Sequence, residues 1–154
     1  MNSNEYWMKK ALSLAIRAGK RGEVPVGALV VFKDQILAKA SNHREEWQSP
    51  LGHAELIALQ RASQRLNSWR LADCTLYVTL EPCLMCAGAL VQSRIQKVFF
   101  GAYDPKGGAL SSLYQVGSDL RLNHRFQSIG GVLEEPCSQV LKDFFRQRRM
   151  ENKN

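Results

Sequence analysis

Residues 75–93 read TLYVTLEPCLMCAGALVQS and place a strand-like run directly before a helix-like run. The apolar and β-branched run 75–80 predicts a strand, and Pro82 bounds it. Cys83 to about Ser93 has the pattern of a helix, and the apolar run 97–102 predicts another strand. Two strands joined through a helix predict a parallel pair within one sheet.

The segments before this unit add a helix and an antiparallel hairpin. Apolar residues recur at helical spacing from Asn4 to about Lys20, and Gly19 or Gly22 is expected to end that helix. Two short apolar runs, 26–32 and 36–40, are separated by a few polar residues that suit a turn. The sheet is therefore expected to be mixed, with an antiparallel part followed by a parallel part.

The remaining segments complete the predicted order of elements. The polar stretch 42–52 is expected to be a loop, and 53–66 a helix. Residues 103–125 show weak periodicity and are expected to be mostly loop with a short helix at most. A last strand within 126–133 is weakened by two glycines, and a helix begins near Glu134. The order α-β-β-α-β-α-β-loop-β-α predicts an α/β protein with helices on both faces of the sheet.

Length and composition indicate one ordinary domain over residues 1–154. The chain is 45% hydrophobic and 23% charged, as is typical of a globular domain. Its 21 Lys and Arg against 14 Asp and Glu give a net charge of +7, which favours a polyanionic partner. No apolar run approaches the roughly 18 residues of a membrane-spanning helix, and we expect no membrane association. The first residues lack the pattern of a secretory signal, so we expect a cytoplasmic protein.

Two short segments carry the candidate chemistry, and each begins a predicted helix. His53 and Glu55 lie in the first, and Cys83 and Cys86 form a Cys-x-x-Cys pair in the second. The free N–H groups of a helix N-terminus favour thiolate over thiol. One His and two Cys suit Zn²⁺, and three protein ligands leave the fourth position open to water. Glu55 would then carry protons, as in an activated-water hydrolase.

The Cys-x-x-Cys pair alone is compatible with two other interpretations. It could be a redox pair, or it could form half of a structural zinc site together with Cys74 and Cys137. Cys74 and Cys137 are not paired along the chain, and their predicted elements differ, which disfavours the structural site. The His-x-Glu segment and Pro82 before the first Cys favour a catalytic zinc instead.

The combined pattern resembles the cytidine deaminase superfamily, and most closely the bacterial tRNA-specific adenosine deaminases. The zinc motif is specific to the superfamily, whereas the 104–109 loop and the basic tail are what resemble the tRNA branch. The resemblance covers nearly the whole chain, at 23–28, Asn42, 53–55, 79–89, 104–109, 123–124 and 143–149.

This resemblance implies a fold, a cofactor and a reaction. The fold would be the three-layer α/β/α cytidine deaminase-like fold with a mixed five-stranded sheet. One Zn²⁺ per subunit would be bound by His53, Cys83 and Cys86 and would activate a water molecule. Glu55 would move the protons. The reaction would convert the wobble adenosine of a tRNA anticodon to inosine and release ammonia.

The resemblance also implies which residues contact the tRNA. Some would surround the flipped nucleotide, by a side-chain hydrogen bond, a backbone contact or an apolar wall: Asn42, Ala54, Pro25, Val26 and Leu84. Others would lie along the anticodon stem-loop: Asp104, Lys106, Phe145, Arg148 and Arg149. Aromatic side chains can stack on unpaired bases and arginines can meet phosphates.

Two alternative functions remain open at this point. One is a zinc-dependent deaminase of a free base or nucleoside, such as cytosine, cytidine or guanine. The other is a zinc-stabilised RNA-binding module without catalysis. The net charge of +7 and the arginine-rich tail favour an RNA substrate over a free base. Glu55 disfavours the non-catalytic module, because a structural zinc site needs no proton carrier. The family resemblance further implies a homodimer.

Overall fold

The computed structural model describes residues 2–152, which form five helices and a five-stranded sheet. The helices are α1 Ser3–Lys20, α2 Arg44–Trp47, α3 Ala54–Leu66, α4 Leu84–Gln92 and α5 Glu134–Asn152. The strands are β1 Gly27–Phe32, β2 Gln35–Ser41, β3 Thr75–Leu80, β4 Lys97–Ala102 and β5 Gln127–Ile129. Among the described residues, no helix is both long enough and apolar enough to cross a membrane.

The sheet is mixed, as predicted, with the strand order β2-β1-β3-β4-β5. Strand β1 pairs antiparallel with both β2 and β3, whereas β3–β4 and β4–β5 are parallel pairs. The antiparallel hairpin and the β3-α4-β4 unit are therefore both confirmed. Strand β5 is a short edge strand, which limits the unpaired backbone that this edge exposes.

Two separate apolar cores lie on opposite faces of the sheet. Alternate residues of each central strand face α3 and α4 on one side, as Val30, Val78 and Phe100 do. Their neighbours in the chain, such as Leu29 and Tyr77, face α1 and α5 on the other side. Because both faces are covered, the central strands are almost continuously apolar. This confirms the predicted three-layer α/β/α arrangement.

Helix α1 packs unusually closely on the start of β1. A side-chain carbon added at Gly27 would lie 2.1 Å from the carbonyl oxygen of Ala11 and 2.8 Å from the amide nitrogen of Ala15. Only glycine allows this approach. The contact fixes where the segment before β1 enters the sheet, next to the site described below.

One edge of the sheet gathers the segments that carry the predicted site. Strands β2, β3 and β4 run in the same direction, because β1 is antiparallel to β2 and β3, and β4 is parallel to β3. Their carboxyl ends therefore share an edge with the start of β1. Helices α3 and α4 also begin at this edge. Ligand sites of α/β sheets typically lie outside the carboxyl ends of the strands.

One local prediction needs correction, and two others are confirmed. The segment 42–52 is not entirely loop, because residues 44–47 form the single turn α2. The last strand lies within 126–133, as predicted, and covers 127–129, since the glycines at 130 and 131 leave the sheet and Gly131 has a φ of 87°. The 103–125 stretch is mostly loop, as predicted, and holds one short 3₁₀ helix at 116–118.

Candidate metal and catalytic site

Two helix N-termini bring the three candidate metal ligands together. His53 is the N-cap residue of α3, and Cys83 is the N-cap residue of α4. Cys86 lies in the first turn of α4 and is buried. Their ligand atoms all lie within 4.8 Å of one another. The structure thus places together residues that are thirty positions apart in the chain.

The donor atoms have the separation that a zinc ion requires. The Nδ1 atom of His53 lies 3.7 Å from Sγ of Cys83 and 3.5 Å from Sγ of Cys86. Usual Zn–S and Zn–N bond lengths at a tetrahedral angle put sulfur and nitrogen about 3.6 Å apart. One imidazole and two thiols are also a donor set that Zn²⁺ prefers. The site is therefore compatible with zinc.

A hydrogen bond between the two cysteine side chains moves their pKa values in opposite directions. The thiol of Cys86 donates to Cys83, and together with His53 it lowers the pKa of Cys83 to about 4 despite partial burial. The same hydrogen bond, with burial and Glu55, raises the pKa of Cys86. Cys83 is thus a ready thiolate, and a bound cation would take the place of the proton that Cys86 holds.

Glu55 lies beside the three donors and is 5% exposed. Burial raises the pKa of this carboxyl to about 7, although a backbone N–H and the nearby His53 partly oppose the shift. A group that titrates near neutral pH can both accept and release a proton. The carboxylate therefore suits a general acid–base role next to a metal.

A cavity of about 140 Å³ opens at this site. It contains three of the substrate-binding residues predicted from the family resemblance, namely Val26, Asn42 and Asp104. Asn42 directly follows β2 and is buried, and Asp104 lies two residues beyond β4. The other residues that line the cavity are Val24, Arg44, His53, Glu55, Leu80, Glu81 and Cys83.

Two predicted pocket walls do not line this cavity. Pro25 instead lines a cavity of about 610 Å³ between α1 and α5, because alternate residues of an extended segment face opposite sides. Its neighbours Val24 and Val26 face the site. Leu84 is exposed on the first turn of α4, outside the cavity. A substrate could reach Leu84 only from outside the cavity.

Two further predicted residues lie close to the site without lining the cavity. Ala54 is the first residue of α3 and is completely buried, so only its backbone could meet a ligand. Lys106 is exposed in a tight turn whose backbone N–H groups donate to the carboxylate of Asp104. Because Lys106 is exposed and does not line the cavity, a phosphate could reach its ammonium from solvent.

The basic tail divides between two faces of α5. Phe145 and Arg149 line a shallow groove of about 340 Å³ with Lys142 and Arg146. Arg148 faces α1 instead, where its guanidinium donates to the carbonyl of Gly22 and lies 5.0 Å from the Phe144 ring centre. Residues four apart share a helix face, so positions 144 and 148 lie together, as do 145 and 149. Arg148 therefore holds α5 against α1 in this structure.

Sequence reasoning did not identify several residues at this edge. Arg44 lines the cavity and adds a positive charge. In the sequence it lies within a polar stretch that predicts a loop, and nothing marks it as a site residue. Glu23 and Glu81 are both 2% exposed. Glu23 accepts two backbone N–H groups from α2, and Glu81 accepts backbone N–H groups from the loop that follows β4. Burial alone would raise the pKa of Glu81, but its hydrogen bonds from Ser112 and the neighbouring backbone lower it. Of these residues, only Val24 could have been identified from the sequence. It lies two residues before Val26, so in an extended segment the two side chains face the same side.

Comparisons with known proteins identify the family of this chain. Residues 2–149 match the family model described as MafB19-like deaminase. The tRNA-specific adenosine deaminase of Bacillus subtilis (strain 168) is 47% identical over 153 residues, which are 99% of this chain and 95% of that protein. A solved structure from studies of A-to-I editing by tRNA:A34 deaminases at the wobble position of transfer RNA is 38% identical, with a TM-score of 0.85. The match covers 88% of this chain and 99% of that chain. The guanine deaminase of Nitrosomonas europaea shares the fold, with a TM-score of 0.80 at 20% identity over 94% of this chain and 85% of that chain.

Proposed function

Because this chain belongs to the deaminase family, among the tRNA-specific adenosine deaminases, we propose that it converts the wobble adenosine of a tRNA anticodon to inosine in the cytoplasm. The reaction replaces the amino group at C6 of adenine by an oxygen from water and releases ammonia. The observation that carries the proposal is the cluster of His53, Cys83 and Cys86 with Glu55 buried beside it. This cluster stands in a chain 47% identical to a protein named for that reaction.

The roles of the site residues follow from their chemistry. Zn²⁺ held by His53, Cys83 and Cys86 would make a water molecule acidic enough to lose a proton near neutral pH and so to become a nucleophile. Glu55 accepts a proton from the attacking water and delivers it to N1 of the adenine ring. A second transfer through Glu55 moves the remaining proton of the added oxygen to the amino group, which leaves as ammonia as the C6 carbonyl of inosine forms. Burial keeps the pKa of Glu55 near the pH at which both transfers are possible.

The cavity would accept one extruded nucleotide. Asn42 offers an amide that can donate to and accept from the nucleotide, and Val26 supplies an apolar wall. Enzymes that modify a base bind it out of its stack in such a pocket. The buried backbone at Ala54 lies at the start of α3, next to His53, where the edge of a bound base would pass.

Charged and aromatic groups outside the cavity would bind the rest of the stem-loop. Lys106 and Arg149 are exposed cations suited to phosphates, and Phe145 is exposed enough to stack on an unpaired base. Asp104 shapes the turn that presents Lys106. For Arg148 to contact RNA, the guanidinium would have to leave the carbonyl of Gly22.

The substrate is tested with zinc-loaded protein and three substrates in parallel. These are an anticodon stem-loop with A at the wobble position, the same stem-loop with C or G there, and free adenosine, cytidine or guanine. We expect inosine in the first stem-loop only, detected by mass spectrometry as a mass gain of about 1 Da, because the basic surface contacts the RNA backbone. If the protein deaminates a free base or nucleoside but leaves the stem-loop with A unchanged, the proposed function is wrong. The alternative, deamination of a free base or nucleoside, would then take its place.

We also propose that the chain forms a homodimer through the face of α3 and α4. A groove of about 590 Å³ runs between these helices and includes the exposed Trp69. On α4, Met85 is partly exposed, and nothing lies within 4 Å of the position that a side chain at Gly88 would occupy. A largely apolar helix face of this kind is typical of subunit interfaces.

Light scattering after size-exclusion chromatography tests the dimer. We expect twice the 17.4 kDa chain mass at micromolar concentration, and a shift to the monomer mass in Ala89→Glu, which places a charge in the groove. Met150→Glu is the matched control, because Met150 is exposed on α5 on the opposite side of the sheet. A monomer in the unsubstituted protein, or a dimer unaffected by Ala89→Glu, would contradict this interface.

A further inference from the structure

Glu81 is a buried carboxylate that the proposed reaction does not use. It follows β3 directly and precedes Pro82 and the metal ligand Cys83. The side chain is 2% exposed, which is rare for a glutamate unless strong hydrogen bonds compensate the burial. Its partners therefore indicate what the carboxylate does.

Five hydrogen bonds reach Glu81 from a segment far along the chain. One carboxylate oxygen accepts the backbone N–H of Asp104 at 3.0 Å and the hydroxyl of Ser112. The other accepts the backbone N–H groups of Leu110, Ser111 and Ser112 at 3.2, 2.7 and 2.8 Å. The carboxylate thus binds both ends of the segment 104–112 and draws it into a closed loop.

The segment also crosses the carboxylate at very short range. A side-chain carbon at Gly108 would lie 2.2 Å from the carboxyl carbon of Glu81, so any larger residue there would displace the carboxylate from its hydrogen bonds. The backbone N–H of Ala109 donates to the carbonyl of Pro82 at 2.9 Å. The loop therefore rests on the strand-to-helix connection that carries the zinc ligands.

We infer that Glu81 is a positioning residue that holds the 104–112 loop against the metal site so that Asp104 and Lys106 meet the RNA. This inference rests on the proposed function. Asp104 lines the cavity, and the turn that it organises carries Lys106. Because Cys83 is two residues away in the chain, a rigid Glu81 couples the position of the loop to that of the metal. Loss of its hydrogen bonds would let the loop move without changing the ligands.

The mildest test removes one donor. Ser112→Ala deletes the hydroxyl that donates to Glu81, and Ser111→Ala is the matched control, because Ser111 contributes its backbone N–H and not its hydroxyl. We expect Ser112→Ala to raise KM for the A stem-loop about tenfold with kcat within about twofold, since hydrogen bonds to charged groups are worth about one to two powers of ten. Ser111→Ala is expected to keep the KM of the unsubstituted protein. Glu81→Gln, which weakens all five bonds, is expected to raise KM further while zinc remains at one per chain.

Hydrogen exchange of peptides from 104–112 provides a readout that needs no activity. We expect exchange at least tenfold faster in Ser112→Ala and Glu81→Gln, and unchanged exchange in Ser111→Ala. Unchanged exchange in the first two variants, or faster exchange with an unchanged KM, would overturn the inference. A stem-loop that the unsubstituted protein does not deaminate would instead refute the proposed function, and exchange would still decide whether Glu81 holds the loop.

Discussion

Glu55→Ala is expected to lower kcat for the A stem-loop by at least about 10³-fold while leaving zinc content unchanged. Positioned acid–base groups contribute about 10²–10⁴-fold to rates, and Glu55 is proposed to serve in more than one proton transfer. The carboxyl is buried with its pKa raised by burial to about 7, so its removal relieves an unfavourable burial and should not destabilise the fold. Single-turnover rates measure the loss of turnover, metal analysis measures the zinc content, and thermal unfolding measures the stability of the fold.

The control for Glu55→Ala is Glu135→Gln, because the Glu135 carboxylate is exposed in the first turn of α5. We expect it to keep full activity. Glu55→Gln separates shape from proton transfer, because the amide has nearly the same size but cannot move a proton. If Glu55→Ala lost its zinc, Glu55 would be a ligand and not the proton carrier. Substantial turnover in Glu55→Gln would also exclude the assigned role.

Cys86→Ala is expected to abolish both stoichiometric zinc and turnover. It removes one of three donors, and the two that remain cannot hold the ion as tightly. Because metal binding stabilises the folded chain, the melting temperature should fall and should no longer respond to added chelator. Metal analysis and thermal unfolding with and without chelator check these expectations, and loss of activity should match loss of zinc.

Cys74→Ala is the matched control, since Cys74 is also a buried cysteine but lies in the apolar core. Burial raises the pKa of Cys74 to about 11, so this thiol stays protonated. We expect its replacement to cost about 1 kcal/mol of stability, as for deletion of one buried atom, and to keep zinc and turnover. Zinc retained in Cys86→Ala would contradict the proposed ligand set. Zinc lost in Cys74→Ala would favour the structural site that includes Cys74.

The cysteine pair and its helix could be recognised because their signal is local. The two cysteines are three residues apart, Pro82 marks the end of β3, and the helix starts where the sequence predicts it. His53 could be associated with them only through the expectation that both helices begin at one edge of a mixed sheet. The structure provides the reason, because β2 and β3 run in the same direction on either side of β1.

The sequence alone could not show which way the side chains of short segments face. Pro25 lies between two residues that face the site and itself faces α5, because side chains alternate along an extended segment. On α5, Arg148 and Arg149 are neighbours in a basic run, yet one contacts α1 and the other lines an open groove. A list of cations does not indicate which of them are available to RNA.

The sequence by itself determined the layered α/β fold, the family, and the residue types of the candidate metal and proton-transfer site. These features follow from periodicity and from motifs whose members lie within a few residues of one another. Only the tertiary structure decided which loops enclose the cavity and what holds them. Glu81 illustrates the reason: it is one carboxylate among 14 acidic residues, and its partners lie 23 to 31 positions away. Such hydrogen bonds form only after the strands and helices have packed, so no local pattern in the chain records them.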